Sequence, residues 1–386
     1  MIAEEHEMIR DLVAKFVERE LMPLENEYLR RVSQGIYPGL APEEVERLRQ
    51  VSKELGLWGL DAPEELGGMD LPTSVMAMVQ EELSRTPVPF ILPPDSPNLR
   101  MLQSIGTPEQ KEKYLKPYIE GKMSSAIAIS EPEAGGDPAS MRTRAVETAD
   151  GWVINGRKIW ISSAKSADFA IAMARVGEGT GQTGITSFIV DRGTPGYIIE
   201  REIPLIGGGN TSEVLFEDCL IPHGNLLGEV GKGYAPMQLR LRTRRLEMGS
   251  TAIGITRRAL EMLVDHANQR VTFGVKLADR QAIQWWVADT STKLYAARLM
   301  VRAAAEKADR GENVAQEISM IKVFTTEMAY QAVDYAMQTL GALGMTQETV
   351  LYPMWNRARL MRIYEGPSEV HRQSIARRVL SGRVAV

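Results

Sequence analysis

Glu365 lies in the run Arg362-Ile363-Tyr364-Glu365-Gly366-Pro367-Ser368, where the backbone has to break. Gly366-Pro367 stops a helix, and Ser368 suits the N-cap of the stretch Glu369 to Leu380. A carboxylate on such a joint can point into a pocket and act as a base. Most glutamates are instead solvated, and residue types alone leave both readings open. A second candidate is Ala128-Ile129-Ser130-Glu131-Pro132-Glu133-Ala134-Gly135-Gly136-Asp137. Small residues let a ligand come close to backbone N–H donors, and the Ser130 hydroxyl could donate to a ring carbonyl. The other reading is a surface loop before a strand.

The elements that must position these residues change character twice. Residues 1–120 read as an N-terminal helical domain: Ile9, Leu12, Val13 and Phe16, then Leu48, Val51, Leu55 and Leu57, fall at helical spacing. Leu66-Gly67-Gly68 and the span 87–97 with its prolines are breaks. Residues 121–230 read as a middle β domain, an antiparallel sandwich or barrel. Asp150-Gly151 and Asn155-Gly156 are hairpin dipeptides, and short strands are expected around Trp152, Ile159, Phe169–Val176, Ile185–Val190, Tyr197–Ile203 and Ser212–Ile221. Residues 231–386 return to helical spacing as a C-terminal antiparallel bundle, with stripes through Ile253 and Leu263, Ile283 and Leu294, and Ile321 and Met328. The fold class is mostly α with a central β domain, α+β.

Composition excludes several classes. Hydrophobic residues are 44% and charged residues 25%, with a net charge of -5, so no basic arm for nucleic acid is expected. A single cysteine and four scattered histidines give neither an intrachain disulfide nor metal-ligand spacing. No apolar run reaches membrane-spanning length. The acidic start Met1-Ile2-Ala3-Glu4-Glu5 does not read as a signal or transit peptide, which gives a cytoplasmic expectation.

Several motifs, in order along nearly the whole chain, resemble the acyl-CoA dehydrogenase family. They are the Ser130 to Asp137 block, Trp160-Ile161-Ser162, Phe216-Glu217-Asp218 through Pro222, Asn225 and Gly228, Arg270-Val271-Thr272-Phe273-Gly274 with Gln281, Gln338-Thr339-Leu340-Gly341, and Tyr364-Glu365-Gly366. Asp95 to Asn98 and the run Glu365 to His371 look like the subgroup of the vertebrate family members ten and eleven. The resemblance implies a C-terminal four-helix bundle and bound FAD. It implies cofactor contacts from Ile127, Ser130, Gly135, Gly136, Trp160, Ser162, Arg270, Phe273, Gln281, Gln338, Gly341 and Ser368. Ser130 would hold the flavin pyrimidine, Ser162 would sit near flavin N5, and Trp160 would cover one ring face. Taken alone, Trp160 reads as a strand-core aromatic and Arg270 as a solvated helix-end residue. A guanidinium suits a pyrophosphate because it is planar, multidentate and always charged. Substrate contacts are implied for Gly136, Arg242, Arg245, Tyr364 and Gly366, and no metal is implied.

The implied reaction is α,β-dehydrogenation of an acyl-CoA thioester, with Glu365 as the α-proton base and the β-hydrogen leaving as hydride to flavin. Electron-transferring flavoprotein is the implied acceptor and a homo-oligomer, a dimer of dimers, the implied assembly. Arg244 stands where some relatives carry the base, and an arginine has no such role, which leaves Glu365. Gly136 replaces a common Ser, Arg242 a common Asp and Pro367 a common Thr. These departures point to an unusual acyl group or an altered CoA path. The competing expectations are a flavin oxidase on the same fold and a non-catalytic flavin- or acyl-CoA-binding protein.

Overall fold

Apolar residues at helical spacing build the first helices of the computed structural model, which describes residues 4–384. They are α1 (Glu4–Phe16), α2 (Glu25–Ser33), α3 (Pro42–Glu54), α4 (Thr73–Leu83), α5 (Ser96–Ile105) and the short α6 (Pro108–Gln110) and α7 (Lys116–Ile119). Strands follow: β1 (Ser125–Ala128), β2 (Arg144–Thr148), β3 (Gly151–Ser162), β4 (Phe169–Arg175), β5 (Ile185–Asp191), β6 (Tyr197–Pro204), β7 (Asn210–Ile221) and β8 (Leu226–Leu227). Then come α8 (Tyr234–Gln269), the hairpin β9 (Val271–Thr272) and β10 (Val275–Lys276), α9 (Gln281–Asp309), α10 (Ala315–Leu340), α11 (Leu351–Met361) and α12 (Ser368–Leu380). Two compact units are distinguished: Met1–Asp61, Asp70–Leu92 and Arg244–Val386 form one, and Ala62–Met69 and Pro93–Thr243 the other.

The second unit is organised by one sheet in the order β6-β7-β3-β2-β4-β5-β8, with β1 also paired to β4. Pairing is antiparallel except that β1 runs parallel to β4, and β2 meets β4 in parallel at Arg144 and Arg175. β4 is buried along its whole length. Its side chains alternate between two cores, as a period of two requires. Phe169, Ile171 and Met173 pack with Tyr114, Tyr118 and Met237. Ala170, Ala172 and Ala174 pack with Trp152, Phe188 and Val190. Each buried Phe or Ile contributes roughly 1.5–3 kcal/mol relative to exposure.

The Asp150-Gly151 hairpin forms, joining β2 to β3. Asn155-Gly156 does not turn the chain. β3 continues through it, with the register against β7 slipping between Ile154 and Gly156. Tertiary contacts override the dipeptide: the Asn155 amide donates to Asp218 at 3.1 Å and accepts from the Asp218 N–H at 2.8 Å. Gly156 is required at this bulge, since a Cβ there would lie 2.5 Å from Thr143 Oγ1.

In the first unit, α1 and α4 share a core of Val13, Phe16, Val75 and Val79. The first turn of α4 is held by α9, because the backbone N–H groups of Thr73 and Ser74 donate to the Asp309 carboxylate at 2.6 and 3.1 Å. A carboxylate is well placed at a helix N-terminus, where unpaired N–H groups and the helix dipole favour negative charge. The bundle stripes are buried as expected, with Leu263, Ile283, Val333 and Met354 in one cluster and Ile253, Leu294, Val301 and Met328 in another. Among the described residues, no helix is long and apolar enough to cross a membrane.

Candidate active site

In the sheet unit, the loop after β1 is built around a carboxylate that the motif reading passed over. Glu131 is 4% exposed. It accepts from Lys158 Nζ at 2.8 Å and from the backbone N–H groups of Arg142 and Thr143 at 2.5 and 3.0 Å. Burial pushes this carboxyl up, but the Lys158 charge and these donors outweigh it and leave it below its ordinary range. Burial brings the Lys158 ammonium down to about 8, opposed by Glu131. Lys158 Nζ also donates to the Ile129 carbonyl at 3.0 Å, and the Ile159 N–H donates to the Ser130 carbonyl at 2.9 Å. Ser130 is therefore tied to β3 one residue from Trp160. Nothing in the sequence pairs positions 131 and 158, which meet only when the loop folds over the strand.

Trp160 is not a core aromatic. It sits where the β3 register slips between Lys158 and Ile161, has φ 62° and is 55% exposed. A bulky residue in left-handed backbone costs on the order of 1–3 kcal/mol, and such strain persists only where its surroundings impose it. The ladder on either side does so, through Lys158 opposite Val214 and Ile161 opposite Ser212. Ser162 is exposed, and its cross-strand partner Thr211 carries a buried Oγ1 with no hydrogen-bond partner. Ile127 is half-buried on β1, while Gly135 and Gly136 lie exposed in the loop. An outward-facing indole beside hydroxyls and a pinned loop fits a flat, polar ring system. Arg242 is exposed on the part of α8 that belongs to this unit.

In the helical unit, Glu365 lies between α11 and α12, half-buried, with φ 57°. The joint is closed by the Ser368 N–H donating to the Arg362 carbonyl at 3.1 Å. Arg245 Nε donates to the Glu365 carbonyl at 2.8 Å, and His371 Nε2 lies 3.2 Å from the same oxygen. Gly366 is packed against both, since a Cβ there would lie 3.0 Å from His371 Nε2 and 3.5 Å from an Arg245 guanidinium nitrogen. Glu365, Gly366 and Arg245 are thus brought together, with His371 as the member that sequence reasoning passed over. Tyr364 is 40% exposed. Burial holds its hydroxyl above the ordinary range against the opposing charges of Arg357 and Arg244. Arg244 forms an ion pair with Glu247 at 3.1 Å.

Ser368 is the first residue of α12 and not its cap. Pro367 holds the cap position, and the Ser368 Oγ is buried without a hydrogen-bond partner. Proline's fixed φ presets the entry to the helix, which displaces the serine by one residue. Arg270, Gln281 and Gln338 are exposed, and Phe273 at the β9–β10 tip is 98% exposed with φ 50°. Trp286 stacks on Tyr335 with ring centroids 4.8 Å apart. That contact sets the start of α9, with Gln281, beside the end of α10, with Gln338. Gly341 closes α10 at φ 64°, ψ −136°, a conformation open to glycine alone.

Family models for the N-terminal, middle and C-terminal domains of acyl-CoA dehydrogenase match residues 3–122, 126–219 and 231–380. The chain belongs to the acyl-CoA dehydrogenase family. It is 38% identical to the (R)-benzylsuccinyl-CoA dehydrogenase of Thauera aromatica, with 98% of this chain and 96% of that protein covered. It is 36% identical to the caffeyl-CoA reductase–Etf complex subunit CarC of Acetobacterium woodii, with 97% and 98% covered. A solved FAD complex of PigA superposes with a TM-score of 0.88 at 26% identity, with 100% of this chain and 99% of that one covered. The family is FAD-dependent, and FAD is the cofactor of this acyl-CoA dehydrogenase family member. The exposed indole and hydroxyls of the sheet unit fit that group.

Proposed function

We propose that this enzyme catalyses α,β-dehydrogenation of an acyl-CoA thioester to the 2-enoyl-CoA, with Glu365 as the base that removes the α-proton. The observation that carries the proposal is the half-buried residue Glu365 on a left-handed joint whose carbonyl is held by Arg245 and His371. A base so fixed loses little entropy on meeting its proton, which is how positioning lowers a barrier. FAD, when bound, supplies the acceptor for the β-hydride. Ser130, Trp160 and Ser162 would hold it from the sheet unit, while Arg270, Gln281 and Gln338 would reach the FAD of a neighbouring subunit. Ile127, Gly135, Gly136, Phe273, Gly341 and Ser368 complete the proposed cofactor set.

Gly136, Arg242, Arg245, Tyr364 and Gly366 are proposed on the substrate side, with Arg245 reaching the base through its backbone. Electrons pass to an electron-transferring flavoprotein, supported by the partner in the name of the CarC relative. A homo-oligomer is the proposed assembly. The benzylsuccinyl and caffeyl groups named in two relatives both carry an aromatic ring. Ring-bearing acyl-CoAs therefore lead the substrate panel, ahead of straight and branched chains. Anaerobic mixing of the flavin-loaded enzyme with that panel should bleach the flavin for at least one thioester, and Glu365→Gln should retain flavin without bleaching. Bleaching at the wild-type rate in that variant would remove Glu365 as the base.

A further inference from the structure

The Glu365 carbonyl receives side-chain donors from two helices, Arg245 Nε of α8 at 2.8 Å and His371 Nε2 of α12 at 3.2 Å. His371 is 3% exposed and lies six residues past the base. A carbonyl oxygen only accepts, so Nε2 carries the ring proton in this contact. Burial, with the charges of Arg245, Lys322 and Arg378 facing the ring from α8, α10 and α12, pushes the imidazole down to about 4. The ring is therefore neutral at ordinary pH, with a single N–H. Gly366 leaves room for it, because a Cβ at that position would lie 3.0 Å from Nε2.

We propose that His371 is a positioning residue: with Arg245 it pins the Glu365–Gly366 peptide, and through that peptide it aims the Glu365 carboxylate. The inference rests on Glu365 being the base. A left-handed residue has few neighbouring backbone minima to stay in without support. Removing one of two donors frees the peptide to rotate and lets the carboxylate swing by a fraction of an ångström or more. Misplacement on that scale affects the chemical step far more than binding. Arg245 alone does not replace the lost donor, since one hydrogen bond fixes the oxygen without fixing the plane of its peptide.

The test compares His371→Leu, which fills the space without a donor, with His371→Gln, which keeps an amide N–H in reach. Rapid-mixing flavin reduction in the flavin-loaded enzyme should slow about 10- to 100-fold in His371→Leu. Flavin content and KM should hold, and α-deuteration of the substrate should slow the step further. His371→Gln should return to within a few-fold of wild type. Equal loss in the Leu and Gln variants, or a wild-type rate in His371→Leu, overturns the positioning role. If His371→Leu does not fold, ring-nitrogen NMR of the wild-type holoenzyme decides. A neutral Nε2–H tautomer at pH 7 supports the role, and an Nδ1–H or charged ring overturns it. Glu365→Gln, run alongside, separates the two levels: an inactive Glu365→Gln with a fully active His371→Leu ends the positioning role alone, whereas an active Glu365→Gln ends both.

Discussion

The Trp160 bulge and the Glu365 joint both hold a large side chain in left-handed backbone, at φ 62° and 57°, but they are held in different ways. At Trp160 the restraint is a strand ladder on both sides and, beneath the neighbouring loop, a buried ion pair between Lys158 and Glu131 that are 0% and 3% exposed at their side chains. At Glu365 it is a handful of hydrogen bonds onto one joint. A ladder is redundant, so a single loss there is absorbed by its neighbours. A joint held by a few hydrogen bonds spreads the load over fewer contacts than a ladder does. The contrast teaches that substitutions around the sheet motif should register first as lost stability or lost cofactor, and those around the joint first as lost rate.

The sharpest break of that contrast is Glu365→Gln. Its turnover should fall by on the order of 10²–10⁴, while stability in urea changes by less than about 0.5 kcal/mol. A large stability loss would mean that the joint is structural after all. In the sheet unit the reverse holds. Lys158→Met leaves the Glu131 carboxylate buried without its cation and should cost roughly 3–5 kcal/mol. Adding Glu131→Gln should recover part of that loss in the same unfolding experiment.

The joint also carries a pH signature. His371 binds its proton near pH 4 in the folded chain, against an ordinary value of 6.5. The unfolded chain therefore holds more protons between those values. The contribution is fully present above about pH 6.5 and is lost as pH falls through about 4, for a total on the order of 3 kcal/mol. Wild type should lose stability across that window faster than His371→Gln, and parallel stability curves would contradict the assignment. The smallest expected effect is at the bulge. Trp160→Gly relieves strain of about 1 kcal/mol, against a similar entropic cost of glycine in a strand. Unfolding should barely move, while flavin retention through gel filtration falls. Arg270→Ala should lower retention as well, and full flavin occupancy in either variant would remove that residue from the cofactor set.

The fold was legible wherever one residue type forces one local outcome. The apolar run of β4, buried end to end, and the apolar stripes of α8, α9 and α10 match the elements because burying apolar surface is the dominant favourable term. Gly366-Pro367 did break the chain where expected. Asn155-Gly156 misled because its turn preference, worth about 1 kcal/mol, competed with a two-bond clasp from Asp218 and a ladder on both sides. Ser368 misled by one residue because Pro367 also satisfies the cap position.

By itself, the sequence determined the order of helical and β segments, the break at Glu365, and a set of motifs specific enough to name the family. These are local properties, written in residue type and spacing. The tertiary structure alone decided that Glu131 meets Lys158, that Trp160 turns outward on a bulge, and that His371 and Arg245 close on one carbonyl. Those contacts join positions 27 and 120 residues apart, or lie across a joint, and their energies exist only once burial has removed the water that would otherwise satisfy each group.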